Sequence, residues 1–352
     1  MQDIKGIMKQ RLKLLFLINL LALQAFAQDT QLSQYYNAPL FLNPALTGTA
    51  DNSRAVFNYR SQWTSLPSPY VSMAASFDHF IGPYNSGVGM LIKRDRQGDA
   101  GLTSTDVNLI YSYQVWIGEK WTFVPAIQAG YTQRDLNFSR FVFGDQLDNN
   151  GVTSVPTIDN YARTGTNVSF LDFSAGGLLF TDVFWIGYSG HHLNKPNEAF
   201  GGDARLPIKS SIHGGYKIFL EKQPKRPGMT FGSGRERSVI PTFNYKFQGL
   251  YDQLDLGVYA IYDPLMFGLW YRGVPIKKYT EGINNHEALI FLVGVGYRGL
   301  TFSYSYDLTI SSFKPGSGGS HEISPQYEWQ IPYKNYKPKK RARKVSCPKF
   351  YR

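Results

Sequence analysis

Residues 301–308 read Thr-Phe-Ser-Tyr-Ser-Tyr-Asp-Leu, and polar and apolar side chains alternate along them without a break. Successive side chains of a β-strand point to opposite faces, so Phe302, Tyr304 and Tyr306 would share one face. Ser303 and Ser305 would share the other face. A period of two over this length predicts a strand with one apolar and one polar face.

The same alternation recurs along most of the chain, and no helical periodicity of comparable length occurs. Many of the runs have the length of about 9–11 residues that a tilted membrane strand needs. Fourteen runs are predicted as strands: 54–63, 70–79, 86–93, 104–114, 121–131, 168–180, 183–191, 208–219, 237–248, 252–261, 266–272, 287–298, 300–309 and 321–329.

Two architectures fit such strands. A secreted β-sandwich would bury its apolar faces against a second sheet. A membrane barrel would turn them to lipid, with aromatic girdles near the strand ends and a polar lumen. The aromatic strand ends and the charged residues on the polar faces favour the barrel, which also leaves no sheet edge unpaired in lipid. The sequence therefore predicts an all-β fold, an antiparallel transmembrane outer-membrane β-barrel of about 14 strands over 54–329.

The amino-acid composition excludes several other classes of protein. The chain has 352 residues, 15% of them aromatic, and a formal net charge of +11. Its mean hydropathy is −0.28, and the aromatic content argues against disorder. One cysteine excludes an intramolecular disulfide framework and any site built from several cysteines. No apolar run reaches the 18 or so residues of a membrane-spanning helix.

The first 27 residues have the layout of an export signal. Lys9, Arg11 and Lys13 precede an apolar run over 14–23, and Ala25-Phe26-Ala27 follows as a small-x-small cleavage site. This order predicts a secretory signal peptide over 1–27. The mature chain would then work in the envelope of a Gram-negative bacterium, where one cysteine is unremarkable.

The segment 28–53 precedes the first strand and is rich in Gln, Asn and Tyr. It is interpreted as a plug folded into the lumen, in which Asn43 and Pro44 fix a turn. A loose periplasmic leader is the alternative. Wide barrels are often plugged, which favours the first interpretation.

Connection lengths predict the orientation. With both chain ends in the periplasm, the long connection 132–167 lies outside and most periplasmic turns are short, as in bacterial barrels. Segment 220–236 is long where a turn is expected, and 249–251 is short where a loop is expected. Either the predicted number of strands is wrong in this region, or 220–236 is a distinct periplasmic segment.

Charge is concentrated in the predicted periplasmic tail, 330–352. Residues 334–352 contain nine basic and no acidic residues, which leaves 24 basic and 25 acidic residues in 28–333. Such a run is either a solvated extension or a docking segment for an acidic periplasmic partner. Nucleic acid is not expected as a partner, because an exported barrel meets none. The partner-binding candidates are Lys339, Lys340, Arg341, Arg343, Lys344, Cys347 and Phe350 in the tail, with Lys225 and Arg226 in 220–236.

The sequence offers few candidates for a catalytic or metal-binding motif. His191 and His192 are adjacent, so they would point to opposite faces of a strand and make a poor metal site. The stretch 145–151 lacks the spacing of an EF-hand loop, which favours a turn and leaves weak calcium binding open. No phosphate loop or nucleophile elbow is visible. We therefore predict no enzymatic activity, no metal and no cofactor.

Several blocks resemble the PorP/SprF family, outer-membrane proteins of the type IX secretion system of Bacteroidota. The resemblance covers essentially the whole mature chain, in order. The blocks are Gln28-Asp29-Thr30-Gln31-Leu32-Ser33-Gln34-Tyr35-Tyr36-Asn37-Ala38-Pro39, Leu42-Asn43-Pro44-Ala45-Leu46-Thr47-Gly48, Asn58-Tyr59-Arg60-Ser61-Gln62-Trp63, Phe143-Gly144-Asp145-Gln146, Tyr304-Ser305-Tyr306-Asp307 and Gly319-Ser320-His321-Glu322-Ile323.

This resemblance implies a non-enzymatic barrel that works in protein secretion or gliding motility. Its implied partners are outer-membrane lipids, a secreted protein with a C-terminal sorting domain or a surface adhesin, and periplasmic components. The latter are the lipoprotein ring and its peptidoglycan-linked protein. The alternative function is a channel for hydrophobic or small solutes, similar to the fatty-acid channels.

Overall fold

The structure, a computed structural model, describes residues 29–50, 53–98, 101–138, 141–148, 151–159, 167–220, 236–280, 283–311 and 315–331. The chain divides into two units, Met1–Gln31 and Leu32–Arg352. Of the first unit, only 29–31 are described. Everything below concerns the second unit.

Nearly all regular structure in the described residues is β-strand. The strands are β1 (Ser53–Gln62), β2 (Tyr70–Ile81), β3 (Ser86–Gln97), β4 (Leu102–Tyr113), β5 (Val115–Ile117), β6 (Trp121–Asp135), β7 (Leu147–Asp148), β8 (Gly151–Val152), β9 (Asn167–Phe180), β10 (Phe184–His191), β11 (Lys209–Tyr216), β12 (Ile218–Phe219), β13 (Arg237–Gln248), β14 (Tyr251–Tyr262), β15 (Leu265–Thr280), β16 (Ile283–Tyr297), β17 (Leu300–Thr309) and β18 (Ser320–Trp329).

The strands close into one antiparallel barrel. Neighbours along the chain pair with each other, and β1 also pairs with β18, where Ser53 lies opposite Trp329. The circle is completed where β11 pairs with β13. β5 and β12 continue β4 and β11 along the same partner strands, and β7 and β8 form a separate ribbon. Fourteen strands therefore build the wall, which confirms the predicted barrel.

The alternation that predicted the strands also orients them. Phe302 is 46% exposed on the outer face, whereas Ser303 and Ser305 are buried on the inner face. Leu109 and Ile127 are likewise exposed on the outside. An apolar outer wall around a polar interior is the arrangement that a bilayer requires of a barrel.

One connection was predicted wrongly. The stretch 273–286 was expected to be a loop, but β15 continues to Thr280 and β16 begins at Ile283. The register shifts at Gly273, whose φ is 147°, so the period-two pattern slips there. Pro275 and the two lysines that follow also broke the apolar alternation, although the backbone stays extended.

Two sides of the barrel are distinguished below. The terminal side is the one at which β1 begins and β18 ends, and the far side is the other. Helical turns are short: Tyr35–Asn37, Pro39–Leu42, Pro44–Leu46, Gly82–Tyr84, Gly144–Gln146 and Pro315–Ser317. No helix in the part of the chain that the structure describes is long and apolar enough to cross a membrane.

Candidate functional site

Residues 32–50, called the inner segment here, lie inside the barrel. Each of them except Phe41 is buried. Three short turns fold the inner segment, and Pro39 and Pro44 open the second and third of them. Proline suits this position, because its fixed φ matches the turn and its missing N–H would have no partner there.

Asn43 joins the inner segment to the barrel wall. Its Oδ1 accepts a hydrogen bond from the Ala45 N–H at 2.8 Å, which caps the turn that begins at Pro44. Its Nδ2 lies 3.1 Å from the carbonyl oxygen of Tyr188 and 3.1 Å from His213 Nε2. One buried side chain thus fixes the turn and ties it to two strands.

Two glycines in the wall leave room for this contact. A β-carbon on Gly176 would lie 2.1 Å from Asn43 Oδ1, and one on Gly187 would lie 2.4 Å from His213 Nε2. Both distances are far shorter than a carbon–heteroatom contact allows. The wall therefore needs glycine at these two positions for Asn43 to reach it.

Aromatic side chains fill the lumen around the first turn of the inner segment. Tyr36 donates its hydroxyl proton to the carbonyl oxygen of Gly214 at 2.9 Å, and its ring meets Trp185 edge-on at 5.7 Å between centroids. Tyr35 meets Trp270 at 6.5 Å in the same manner. Such edge-to-face pairs add to the apolar burial of the rings.

A buried group of charges holds the start of the inner segment. We call Arg60, Arg272, Asp307 and Glu322 the arginine cluster. Arg60 Nη2 lies 2.8 Å from Asp307 Oδ2, and Arg272 Nη1 lies 3.2 Å from the same oxygen. Both guanidinium groups also donate to the Ser33 hydroxyl oxygen, which in turn donates to Asp307.

Backbone groups of the inner segment complete the arginine cluster. The N–H of Ser33 donates to Glu322 Oε2 at 2.7 Å, and that of Gln34 donates to Oε1 at 3.2 Å. Arg272 Nε also lies 2.8 Å from Asp255 Oδ1. Buried charges are tolerated when they are paired, and each of the four side chains has an oppositely charged partner in the cluster. Arg60 Nε and Asp307 Oδ1 are buried there without a hydrogen-bond partner among the described residues.

The end of the inner segment is held separately, at the terminal side. The N–H of Gly48 donates to Asp78 Oδ2 at 2.8 Å, and Arg54 Nε lies 2.9 Å from Asp78 Oδ1. Ser112 donates its hydroxyl proton to the carbonyl oxygen of Thr47 at 2.7 Å. The inner segment is therefore fixed at both ends and in its middle.

The histidines singled out in the sequence have ordinary partners. His191 Nδ1 lies 3.1 Å from Ser174 Oγ, and His321 Nδ1 lies 2.7 Å from the Tyr304 hydroxyl. His192 Nδ1 lies 3.1 Å from Asp172 Oδ2. Within the described ranges, no group of three or more His, Cys, Asp or Glu side chains is placed to hold a metal ion.

Asp145 organises the long far-side connection. Its carboxylate accepts the Ile158 N–H at 2.7 Å and the Thr157 hydroxyl at 2.9 Å. The Ile158 hydrogen bond, followed by the weaker effect of the Thr157 bond, lowers the pKa of the Asp145 carboxyl below its ordinary value. This accounts for Asp145 as a residue that closes a loop.

The partner-binding candidates lie outside the described residues. These are Lys225, Arg226, Lys339, Lys340, Arg341, Arg343, Lys344, Cys347 and Phe350, and the signal peptide over 1–27 is also outside. Of the predicted site residues, Asn43 and Pro44 are described. The sequence alone did not predict the arginine cluster, although Arg60 and Asp307 lie within the predicted strands 54–63 and 300–309. Charges facing the interior of a membrane protein usually pair, and that rule was the available signal.

Comparisons with known proteins address the chain as a whole. A family model described as "Type IX secretion system membrane protein PorP/SprF" matches residues 24–327. No curated protein matches. Solved structures similar to the chain include the Ralstonia pickettii toluene transporter TbuX, at 11% identity over 84% of this chain and 94% of that one, with a TM-score of 0.45. The Acinetobacter baumannii outer membrane protein Omp33 is 6% identical over 79% and 98% of the two chains, with a TM-score of 0.41.

Proposed function

The chain belongs to the PorP/SprF family of type IX secretion system membrane proteins, and we propose that it acts there by binding other proteins. In this proposal it is a non-enzymatic component of the outer membrane. Its terminal side faces the periplasm and receives a secreted client, the periplasmic lipoprotein ring, or both. The client is a protein with a C-terminal sorting domain or a surface adhesin.

The placement of the inner segment inside the barrel is the observation that carries the proposal. The inner segment occupies the interior and is fixed by Asn43, by the arginine cluster and by Asp78. A solute channel of the fatty-acid-channel type would need a path past these contacts. A barrel whose interior holds such a segment is better suited to present surfaces to partner proteins than to conduct.

Charge supports the terminal side as the binding side. The nine basic residues of 334–352 follow the end of β18, whereas the rest of the predicted mature chain is close to neutral. A basic run attracts an acidic partner over about a Debye length of 8–10 Å at physiological salt. Phe350 and Tyr351 add aromatic side chains, which are enriched in protein interfaces.

Deletion of 334–352 tests the proposal. A tagged full-length chain and the deletion variant are extracted from native membranes in mild detergent, and co-purified proteins are quantified by mass spectrometry. We expect the deletion to abolish recovery of periplasmic secretion components while the barrel stays folded. In a second variant the nine basic residues are changed to glutamine. This variant keeps the length of the tail, so it distinguishes the effect of the positive charge from that of the chain itself.

Equal recovery with the deletion variant would contradict tail-mediated docking. Conductance of the purified barrel in a planar bilayer would favour the solute channel instead. Folding is checked by the shifted mobility of the unheated barrel in gel electrophoresis, because closed barrels resist detergent unfolding.

A further inference from the structure

The connection between β6 and β9 has an ordered core in its described part, 141–148 and 151–159. Gln146 donates from Nε2 to the Val155 carbonyl oxygen at 2.9 Å, and the Thr153 N–H donates to the Gln146 carbonyl oxygen at 2.7 Å. Asp145 closes the same turn through Ile158, as described above. The side chains in this stretch are therefore presented by a defined backbone.

This stretch lies beyond the lipid-facing part of the wall. Tyr131 pairs with Leu171, and both are exposed apolar residues on the outer face. One step further along the same face come Gln133 and Ser169, and then Asp135 and Asn167. The outer face thus turns from apolar to polar before the connection begins, so lipid does not cover residues 141–148 and 151–159.

Apolar side chains are nevertheless exposed there. Six large ones occur in a short stretch of chain: Phe141 (41%), Val142 (53%), Leu147 (56%), Val152 (65%), Val155 (58%) and Ile158 (77%). On the barrel wall such exposure is explained by lipid, but here it is not. Exposed apolar side chains of this kind mark surfaces that contact proteins or membranes, and the polar strand ends put this stretch outside the bilayer.

The charge of this stretch indicates which kind of partner it would bind. Residues 141–159 contain Asp145, Asp148 and Asp159 and no lysine or arginine. A second copy of the chain would bring the same negative charges, and an anionic lipid surface would repel them. Electrostatic complementarity instead favours basic residues on the facing surface.

We propose that residues 141–148 and 151–159 form a docking surface on the far side of the barrel for a second protein, whose contact surface combines aliphatic side chains with lysine or arginine. The surface is separate from the tail-mediated docking proposed above, because it is on the other side of the barrel. Either proposal can therefore fail without the other.

Photo-crosslinking in native membranes tests the surface. The photoreactive residue p-benzoylphenylalanine replaces Ile158 in the full-length chain. In the control it replaces Leu250, which is 74% exposed in another far-side connection. We expect a discrete crosslinked protein from position 158 and none from position 250, with the crosslinked peptide carrying lysine or arginine beside aliphatic residues.

Binding of the identified protein is then measured with purified components. Truncating a side chain that contributes strongly to an interface costs more than about 1 kcal/mol, or roughly 5-fold in affinity. We expect the double variant V155S/I158S to bind at least about 10-fold more weakly, and L250S to bind like the parent. Affinity should also fall as salt is raised.

Several outcomes would overturn the proposal. They are crosslinks from position 158 to lipid, to lipopolysaccharide or to a second copy of the chain alone, or no crosslink at all. Unchanged affinity of V155S/I158S in a folded barrel would overturn it as well. Affinity that is insensitive to salt would exclude a basic partner surface.

Discussion

Replacing Arg272 with methionine removes a buried cation and keeps much of its volume. Arg272 is 1% exposed, and its three nitrogens reach Asp255 at 2.8 Å, Asp307 at 3.2 Å and Ser33 at 3.1 Å. The variant leaves the buried carboxylate of Asp255 with the Gln253 amide, which donates to it at 3.0 Å, and with Lys246 as its remaining cation, whose Nζ is 3.7 Å away. It also removes one of the two arginines that hold Ser33.

The size of the effect follows from burial. Removing one partner of a buried ion pair costs about 3–5 kcal/mol, because the remaining charge stays desolvated. That corresponds to roughly a 100- to 4,000-fold change in the folding equilibrium. Lys277→Met is the matched control on the same strand. Its ion pair with Asp252 is 2.7 Å long, but Lys277 is 51% exposed, so the loss should stay below about 1 kcal/mol.

Two assays separate global from local effects. Urea titration of tryptophan fluorescence in detergent gives the free energy of unfolding. Maleimide labelling reports release of the inner segment, with a cysteine replacing Ala38, which is 2% exposed. The natural Cys347 is changed to serine in all variants. We expect slow labelling in the parent and in Lys277→Met, and fast labelling in Arg272→Met.

The double variant R272M/D255N adds a further check. It removes the carboxylate that Arg272 left behind, so part of the lost stability should return. If Arg272→Met changed the free energy of unfolding by less than about 1 kcal/mol, and labelling at position 38 stayed slow, the arginine cluster would not hold the inner segment.

Two further predictions concern Asn43 and Asp145. Gly176→Ala should destabilise the barrel by about 1–3 kcal/mol through overpacking, because the new β-carbon would lie 2.1 Å from Asn43 Oδ1. Gly177→Ala is the control, since its β-carbon would lie 3.4 Å from the nearest atom. In the same urea titration this control should be nearly neutral. Equal effects of the two alanines would contradict the packing argument. Because the pKa of Asp145 is lowered from its ordinary 3.8, its contribution to the loop is complete above that pH and is lost as the pH falls through the lower folded value. The Ile158 amide should then be protected from hydrogen exchange near neutral pH and lose this protection in acid. In D145N the same amide should be weakly protected at every pH. Protection that persists in acid in the parent would contradict the role of the Asp145 carboxylate.

Most of the barrel could be predicted because each strand carries its own evidence. The alternation in 301–308 identifies β17 without reference to any other strand, and the same holds for most of the wall. The prediction failed at 273–286, where a shifted register at Gly273 removes the local pattern. Asn43 and Pro44 were recognised as a turn from their residue types, but their contacts with Tyr188 and His213 were not visible in the sequence.

The sequence by itself determined most of the strand residues, the number of strands in the wall and the face of each that meets lipid. It could do so because successive residues of a barrel strand face lipid and lumen in turn. This alternation is visible within each short stretch of sequence. Only the tertiary structure decided how the interior is filled. Ser33 meets Glu322 across 289 positions, since closing the wall brings β1, the first strand after Ser33, next to β18, which carries Glu322. Arg272 reaches the same cluster from β15, because the pairing register sets its height in the wall. Local periodicity specifies the direction in which a side chain points, whereas register and closure specify what it meets there.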